Sequence, residues 1–223
     1  MKSLRIRLKP DQHPEVWVHD GERRRHFFTT FSGLLGLLQE AEGRALREEA
    51  PWIPTPLLPP NTLYYAQRLE ESWIVQDLPA GRYETLLDTG GREVFVIPLP
   101  RMLFAVHRRG SRVVGGAIRV TTETGAITNE TPLFHFPLSN TYEDGRLCWY
   151  PPDDEAWTEE RIPGLIRTFF ATPHNFDVFS PRRNGPGHDL RGLITALAEH
   201  ETYPTAWLVS AESCSAWLAH ITR

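Results

Sequence analysis

The chain has 223 residues, enough for one globular domain with an extension, and its 40% hydrophobic and 23% charged residues suit a chain with a sizeable core. Lys and Arg number 24 against 28 Asp and Glu, a net charge of −4, so no global bias points to nucleic acid. Two cysteines exclude a disulfide framework and a four-thiolate zinc site, and no apolar run approaches the roughly 20 residues that span a bilayer.

The start, Met1-Lys2-Ser3-Leu4-Arg5-Ile6-Arg7-Leu8, alternates charge with apolar residues and has no continuous apolar stretch of the kind a signal peptide needs. The expectation is a cytoplasmic chain with no membrane partner, whose thiols stay reduced. Leu4–Leu8 and Val16–His19 have period two, and Arg25–Phe28 follows the turn Asp20-Gly21, which predicts a three-stranded meander. From Phe31 to Arg47 the apolar residues follow helical spacing, with Ser32 as the expected cap. Pro51, Pro54, Pro56, Pro59 and Pro60 then break regular structure and read as a linker or strap. Residues 1–60 are thus expected to be a β-β-β-α extension ending in a proline-rich strap, and residues 61–223 the main domain.

In that domain, Thr62–Glu71 is a short strand or helix, Ser72–Gln76 a strand, and Arg92–Ile97 a β-branched and aromatic run bounded by Gly90-Gly91 and Pro98. Met102–His107 and Val113–Thr121 flank Arg109-Gly110-Ser111 and predict a hairpin, and Pro132–Phe136 is a further short apolar segment. Past a polar loop, helices are expected from about Pro163 to Phe170, from Asp189 (as cap) to His200, and from Ala211 to Ile221. Strands first and helices after them imply an α+β fold.

The loop between strands and helices carries the candidate chemistry. A lone cysteine is more often a small buried hydrophobe than a nucleophile. Cys148 stands instead at the end of a polar run containing Asn140, Glu143, Asp144 and Gly145. Gly145, three residues before it, permits a left-handed turn that turns the thiol outward. Asn140, eight residues before it, has an amide that can donate to the oxyanion formed when an amine attacks a thioester; losing such a donor typically costs about 10²–10³ in rate. The structural alternative for Asn140 is a turn residue satisfying backbone groups. His174 is a candidate base or proton acceptor for that amine, against the alternative of a turn residue in Pro173-His174-Asn175. Asp144 and Glu143 are candidates to orient the amine, Trp149 to restrict the thiol or pack under the loop. His135, between Phe134 and Phe136, reads as a satisfied strand histidine, and Cys214 as core beside Trp217 and Leu218. No histidine pair has a metal-binding spacing and no phosphate-binding glycine motif is present, so neither metal nor cofactor is expected.

Leu138-Ser139-Asn140…Gly145-Arg146-Leu147-Cys148 resembles the site of ubiquitin-conjugating enzymes, which carry His-Pro-Asn, then a glycine three residues before the catalytic cysteine and eight residues from Asn to Cys. More closely, Thr131-Pro132-Leu133-Phe134…Pro137-Leu138-Ser139-Asn140…Gly145…Leu147-Cys148 is similar to the prokaryotic family D of such enzymes, the PRTRC system protein B-like proteins. Thr168–Asn175 and Ile97-Pro98-Leu99-Pro100 before Met102–Ala105 share the likeness, which covers roughly residues 73–210. The resemblance implies a ubiquitin-conjugating-enzyme-like antiparallel sheet followed by helices. It implies that a ThiF-type activating enzyme hands a ubiquitin-like protein to Cys148 as a thioester, which then passes to an amine of a protein substrate. An ordinary thiol, with pKa about 8.5, suffices because the incoming thioester is already activated. Leu138-Ser139 replaces His-Pro, so other contacts have to build the turn that holds Asn140. Two other functions fit the same residues: a non-catalytic module that binds a ubiquitin-like protein, and a thiol hydrolase with a Cys148–His174 pair. Pro151-Pro152 speak against a helix starting at Cys148 to lower its pKa, as a hydrolase often has.

Overall fold

The computed structural model describes residues 2–9, 12–20, 23–38, 55–149, 161–185 and 187–223. Two compact units divide the chain after Thr55.

In the first unit, β1 (Lys2–Arg7), β2 (Glu15–Asp20) and β3 (Arg23–Phe28) form an antiparallel meander in that order. Val16 is fully buried, while Trp17 stacks on His26 with ring centroids 4.8 Å apart and Glu15 takes the His26 Nε2 contact at 2.8 Å. Helix α1 occupies residues 31–38. Its cap is Thr30 rather than the expected Ser32: the Thr30 hydroxyl accepts from the Gly33 amide at 3.1 Å, which answers one of the first-turn N–H groups that lack a helical partner. The predicted continuation to Arg47 and the prolines at 51 and 54 lie outside the described residues.

The second unit is built on a six-stranded antiparallel sheet in the order β11-β10-β9-β8-β5-β4. Its strands are β4 (Thr62–Arg68), β5 (Glu71–Leu78), β8 (Arg101–Arg109), β9 (Arg112–Thr121), β10 (Pro132–Phe134) and β11 (Ser210–Ser213). Between β5 and β8, which pair with each other, the chain leaves the sheet as a hairpin arm of β6 (Gly81–Asp88) and β7 (Arg92–Leu99). The β6 strand is absent from the sequence reading, because Arg82 and Glu84 interrupt its apolar character. Its inward residues Thr85 and Leu87 still keep period two.

Strand β8 shows why the unit has two apolar clusters. Successive side chains of a strand face opposite sides, and Met102 to Val106 are all fully buried. Met102, Phe104 and Val106 join a cluster with Leu87, Ile97 and Leu99 of the arm and with α2 (Ile162–Ala171) and α3 (Leu190–Ala198). Leu103 and Ala105 join Val75, Ala117, Leu133 and, from α4 (Cys214–Ile221), Cys214 and Trp217. Each large side chain so buried contributes about 1.5–3 kcal/mol, so both faces hold the sheet.

Helix α2 begins one residue before Pro163, which sits in the first turn where no amide partner is lost. Asp189 caps α3 by accepting from Gly192 N at 2.6 Å, as expected. At the other end the Arg82 guanidinium donates to the carbonyls of Ala198 and His200, at 3.4 and 2.6 Å, placing a positive charge on the helix C-terminus. The helix predicted from Ala211 starts at Cys214. Residues 211–213 are strand instead, because Ser213 and Ser210 pair with Pro132 and Phe134. No helix among the described residues is long and apolar enough to cross a membrane.

Candidate functional site

Residues 140–148 form a tight hairpin. Cys148 N donates to Asn140 O at 2.8 Å, Tyr142 N to Arg146 O at 2.8 Å, and Gly145 N closes the turn on Tyr142 O at 3.0 Å. Strand β10 meets β9 only at Phe134 and Val120, which leaves the rest of that edge open. The hairpin covers it: Leu147 N donates to Gly116 O at 2.9 Å and Ile118 N to Gly145 O at 2.8 Å. The hairpin that ends at Cys148 is therefore registered against the sheet through backbone bonds, and Cys148 is a free, half-buried cysteine.

Two glycines allow this docking. Gly145 has φ +86°, a region side chains rarely occupy, and a Cβ there would strike the Arg119 guanidinium and lie 3.0 Å from Ile118 O. At Gly116 a Cβ would lie 2.7 Å from Ala105 O and 2.9 Å from the Leu147 Cδ1 atom. Its absence lets Leu147, 8% exposed, reach the main core.

Side chains from distant parts of the chain then hold the hairpin and the segment before it. The Asn184 amide, 1% exposed, donates to Phe136 O at 2.8 Å and Leu138 O at 2.9 Å. The Ser139 hydroxyl meets His174 Nδ1 at 3.1 Å. Asn140 Nδ2 donates to Pro173 O at 3.1 Å, Arg183 to Thr141 O at 3.1 Å, and Arg119 to Glu143 O at 3.1 Å. These contacts hold Asn140 without a His-Pro pair before it. They satisfy buried carbonyls, each of which would cost about 1–3 kcal/mol unpaired, and they let Asn140 sit at φ +64°.

Each predicted site residue has a definite place. Asn140, 7% exposed, lies next to Cys148 across the hairpin, and one of its two amide N–H groups is taken by Pro173. Trp149 packs edge-on against Phe169 of α2, with centroids 6.2 Å apart, and so anchors the chain after the thiol. Asp144 turns inward on its own loop: its carboxylate accepts Arg146 N at 3.0 Å and pairs with Arg146 Nε at 2.5 Å.

His174 departs from the role of base expected of it. The ring is fully buried, burial pushes its pKa down to about 4, and its Nε2 has no hydrogen-bond partner among the described residues. Its backbone bridges to the arm, N to Leu86 O at 2.7 Å and O from Asp88 N at 2.8 Å. The ring supports Ser139 and offers no surface to an incoming amine. His135 is not the satisfied strand residue expected either. It follows β10, its Nδ1 is buried without a partner among the described residues, and desolvation, with Arg119 and Arg183 nearby, lowers its pKa. Cys214 is core as read: 5% exposed, with its pKa raised by burial.

A cavity of about 800 Å³ opens between the hairpin tip, β11 and α4, with Tyr142, Asp144, Arg146, Glu212 and His220 on its walls. Among the described residues no group of three or more His, Cys, Asp or Glu is arranged to hold a metal. The supporting residues Arg119, Arg183, Asn184 and Glu212 escaped the sequence reading. Asn184 stands in Asn184-Gly185-Pro186-Gly187, which looks like an ordinary turn, and nothing local marks its partners 46 and 48 residues away.

The model of one protein family, prokaryotic E2 family D, matches residues 43–211. No curated protein matches the chain, and no solved structure matches it.

Proposed function

The chain belongs to prokaryotic E2 family D, which carries a role related to ubiquitin-like conjugation, and from that premise we propose that Cys148 is its thioester-forming nucleophile. On this reading the antiparallel sheet and its helices, residues 61–223, are the conjugating core, and residues 1–60 are an appended unit. The observation that carries the reading is a free, half-buried cysteine whose backbone amide is bonded to Asn140 O at 2.8 Å.

A ThiF-type activating enzyme, working in the cytoplasm and using ATP, supplies a ubiquitin-like protein as a thioester. The Cys148 thiolate attacks the carbonyl carbon, a new C–S bond forms, and the enzyme's own thiolate leaves. An amine of a protein substrate then attacks the same carbon. Its C–N bond forms, the bond to the Cys148 sulfur breaks, and the amine proton goes to water. The second N–H of Asn140 is the donor we assign to the developing oxyanion. Asp144, on the rim of the cavity, is the group we assign to meet the approaching amine, which takes the place of the exposed Arg146 side chain now paired with it, and Trp149 keeps the thiol from withdrawing. His174 serves by holding Ser139. Its burial weighs against a Cys148–His174 hydrolase.

Mixing the protein with the activating enzyme and ubiquitin-like protein encoded beside it, plus ATP, tests this on a non-reducing gel. A thiol-sensitive adduct that disappears in Cys148→Ala is the expected result, with a PRTRC-type gene neighbourhood as the source of both partners. Binding without an adduct would leave a carrier-binding module. Release of a C-terminal fusion without ATP would instead make the protein a hydrolase.

A further inference from the structure

Two charged side chains outside the cysteine motif reach the hairpin of Cys148, Arg183 at the Thr141 carbonyl and Arg119 at the turn itself. Arg119 lies near the end of β9, and its side chain is 3% exposed. Its Nε donates to Glu212 Oε1 at 3.0 Å and its Nη2 to Glu212 Oε2 at 3.3 Å, so β11 holds the guanidinium in a two-pronged pair. The same Nη2 donates to Glu143 O at 3.1 Å, and the guanidinium occupies the space that a Cβ at Gly145 would need.

A buried guanidinium is costly to desolvate, and an ion pair seldom repays that cost better than apolar packing does. What the pair supplies here is direction. Glu212 fixes the plane of the fork, and the fork then sets how far residues 142–145 stand above β9. The backbone bonds of Gly116 and Ile118 fix position along the strand; Arg119 fixes the remaining freedom, toward and away from it. A lysine would keep the charge but not the planar fork that reaches both acceptors.

Resting on the conjugating role above, we propose that Arg119 is a positioning residue for Cys148, with Glu212 as the group that orients it. The sulfur gains no contact from Arg119. It gains a fixed place from which to meet a thioester carbonyl held by another protein, and misplacement by about 1 Å in such a step costs up to about a hundredfold in rate.

The test uses the full chain with its activating enzyme, ubiquitin-like protein and ATP. For wild type, Arg119→Lys and Glu212→Gln, it measures the single-turnover rate of adduct formation at saturating partner, the half-saturating concentration, and amide hydrogen exchange. In Arg119→Lys the saturating rate falls about tenfold while the half-saturating concentration stays within about twofold. The Tyr142 and Cys148 amides exchange about tenfold faster while those of β8 do not change. Glu212→Gln keeps one acceptor and shows the same pattern at about threefold, which also serves should Arg119→Lys fail to fold. A rate and hairpin exchange within about twofold of wild type in a folded variant overturn the proposal, as does a rise shared equally by β8, which marks a general structural role. If wild type forms no adduct, the conjugating role falls instead, and the exchange comparison alone decides whether Arg119 holds the hairpin.

Discussion

Cys148 and Cys214 carry the same thiol in opposite settings. Cys214 is the first residue of α4, where the helix dipole favours a thiolate. It is nevertheless 5% exposed among Val75, Leu103 and Trp217, and burial raises its pKa. Cys148 stands at no described helix. It closes a hairpin held by backbone bonds, by polar side chains from distant parts of the chain and by Leu147 in the core, and it is only half-buried. The contrast separates two ideas that are easily merged: a helix N-terminus does not make a cysteine reactive when desolvation is larger, and an irregular loop is not loose when distant side chains hold its carbonyls.

The comparison breaks first at Gly145. Substituting alanine puts a side chain at φ +86° and against the Arg119 guanidinium, and we expect a loss of about 3 kcal/mol in urea unfolding together with the adduct. An alanine variant as stable as wild type would mean that the hairpin is not locked.

His174 gives the next effect. The folded ring has its pKa lowered to about 4 from 6.5, so the unfolded chain takes up the proton first. Its contribution to stability is whole above about pH 6.5 and is lost as the pH falls toward 4, about 2 kcal/mol of it between pH 7 and 5. In His174→Gln that part of the pH dependence should vanish from the unfolding free energy. A variant with the wild-type slope would show that some other group titrates.

Cys214→Ala sharpens the other side at the smallest scale. It should cost about 1 kcal/mol for the lost sulfur contacts and leave adduct formation on Cys148 unchanged. Loss of the adduct with folding intact would reverse the roles assigned to the two thiols.

What the sequence reveals divides along similar lines. The β8–β9 hairpin shows itself because two apolar runs flank a glycine turn, and α3 because Asp189 and the periodic leucines and isoleucine agree. Asn140, Gly145 and Cys148 are visible because the hairpin is a local object, nine residues with a signature of their own. Strand β6 is hidden by its outward charges. Strand β11 is too short to separate from the helix it precedes. The supports of the site are invisible for a stronger reason: Ser139 and His174 lie 35 residues apart, and Arg119 and Glu212 lie 93 apart. No window slid along the chain contains both partners.

Those long separations have a consequence in time. A chain made from its N-terminus releases Cys148 well before Asn184, and Asn184 before Glu212. Until residue 212 has emerged, nothing orients the Arg119 fork beneath the hairpin. On the positioning role proposed for Arg119, the thiol therefore reaches its working position only after residue 212 has emerged, and a product that stops short of it carries the cysteine without the brace that presents it.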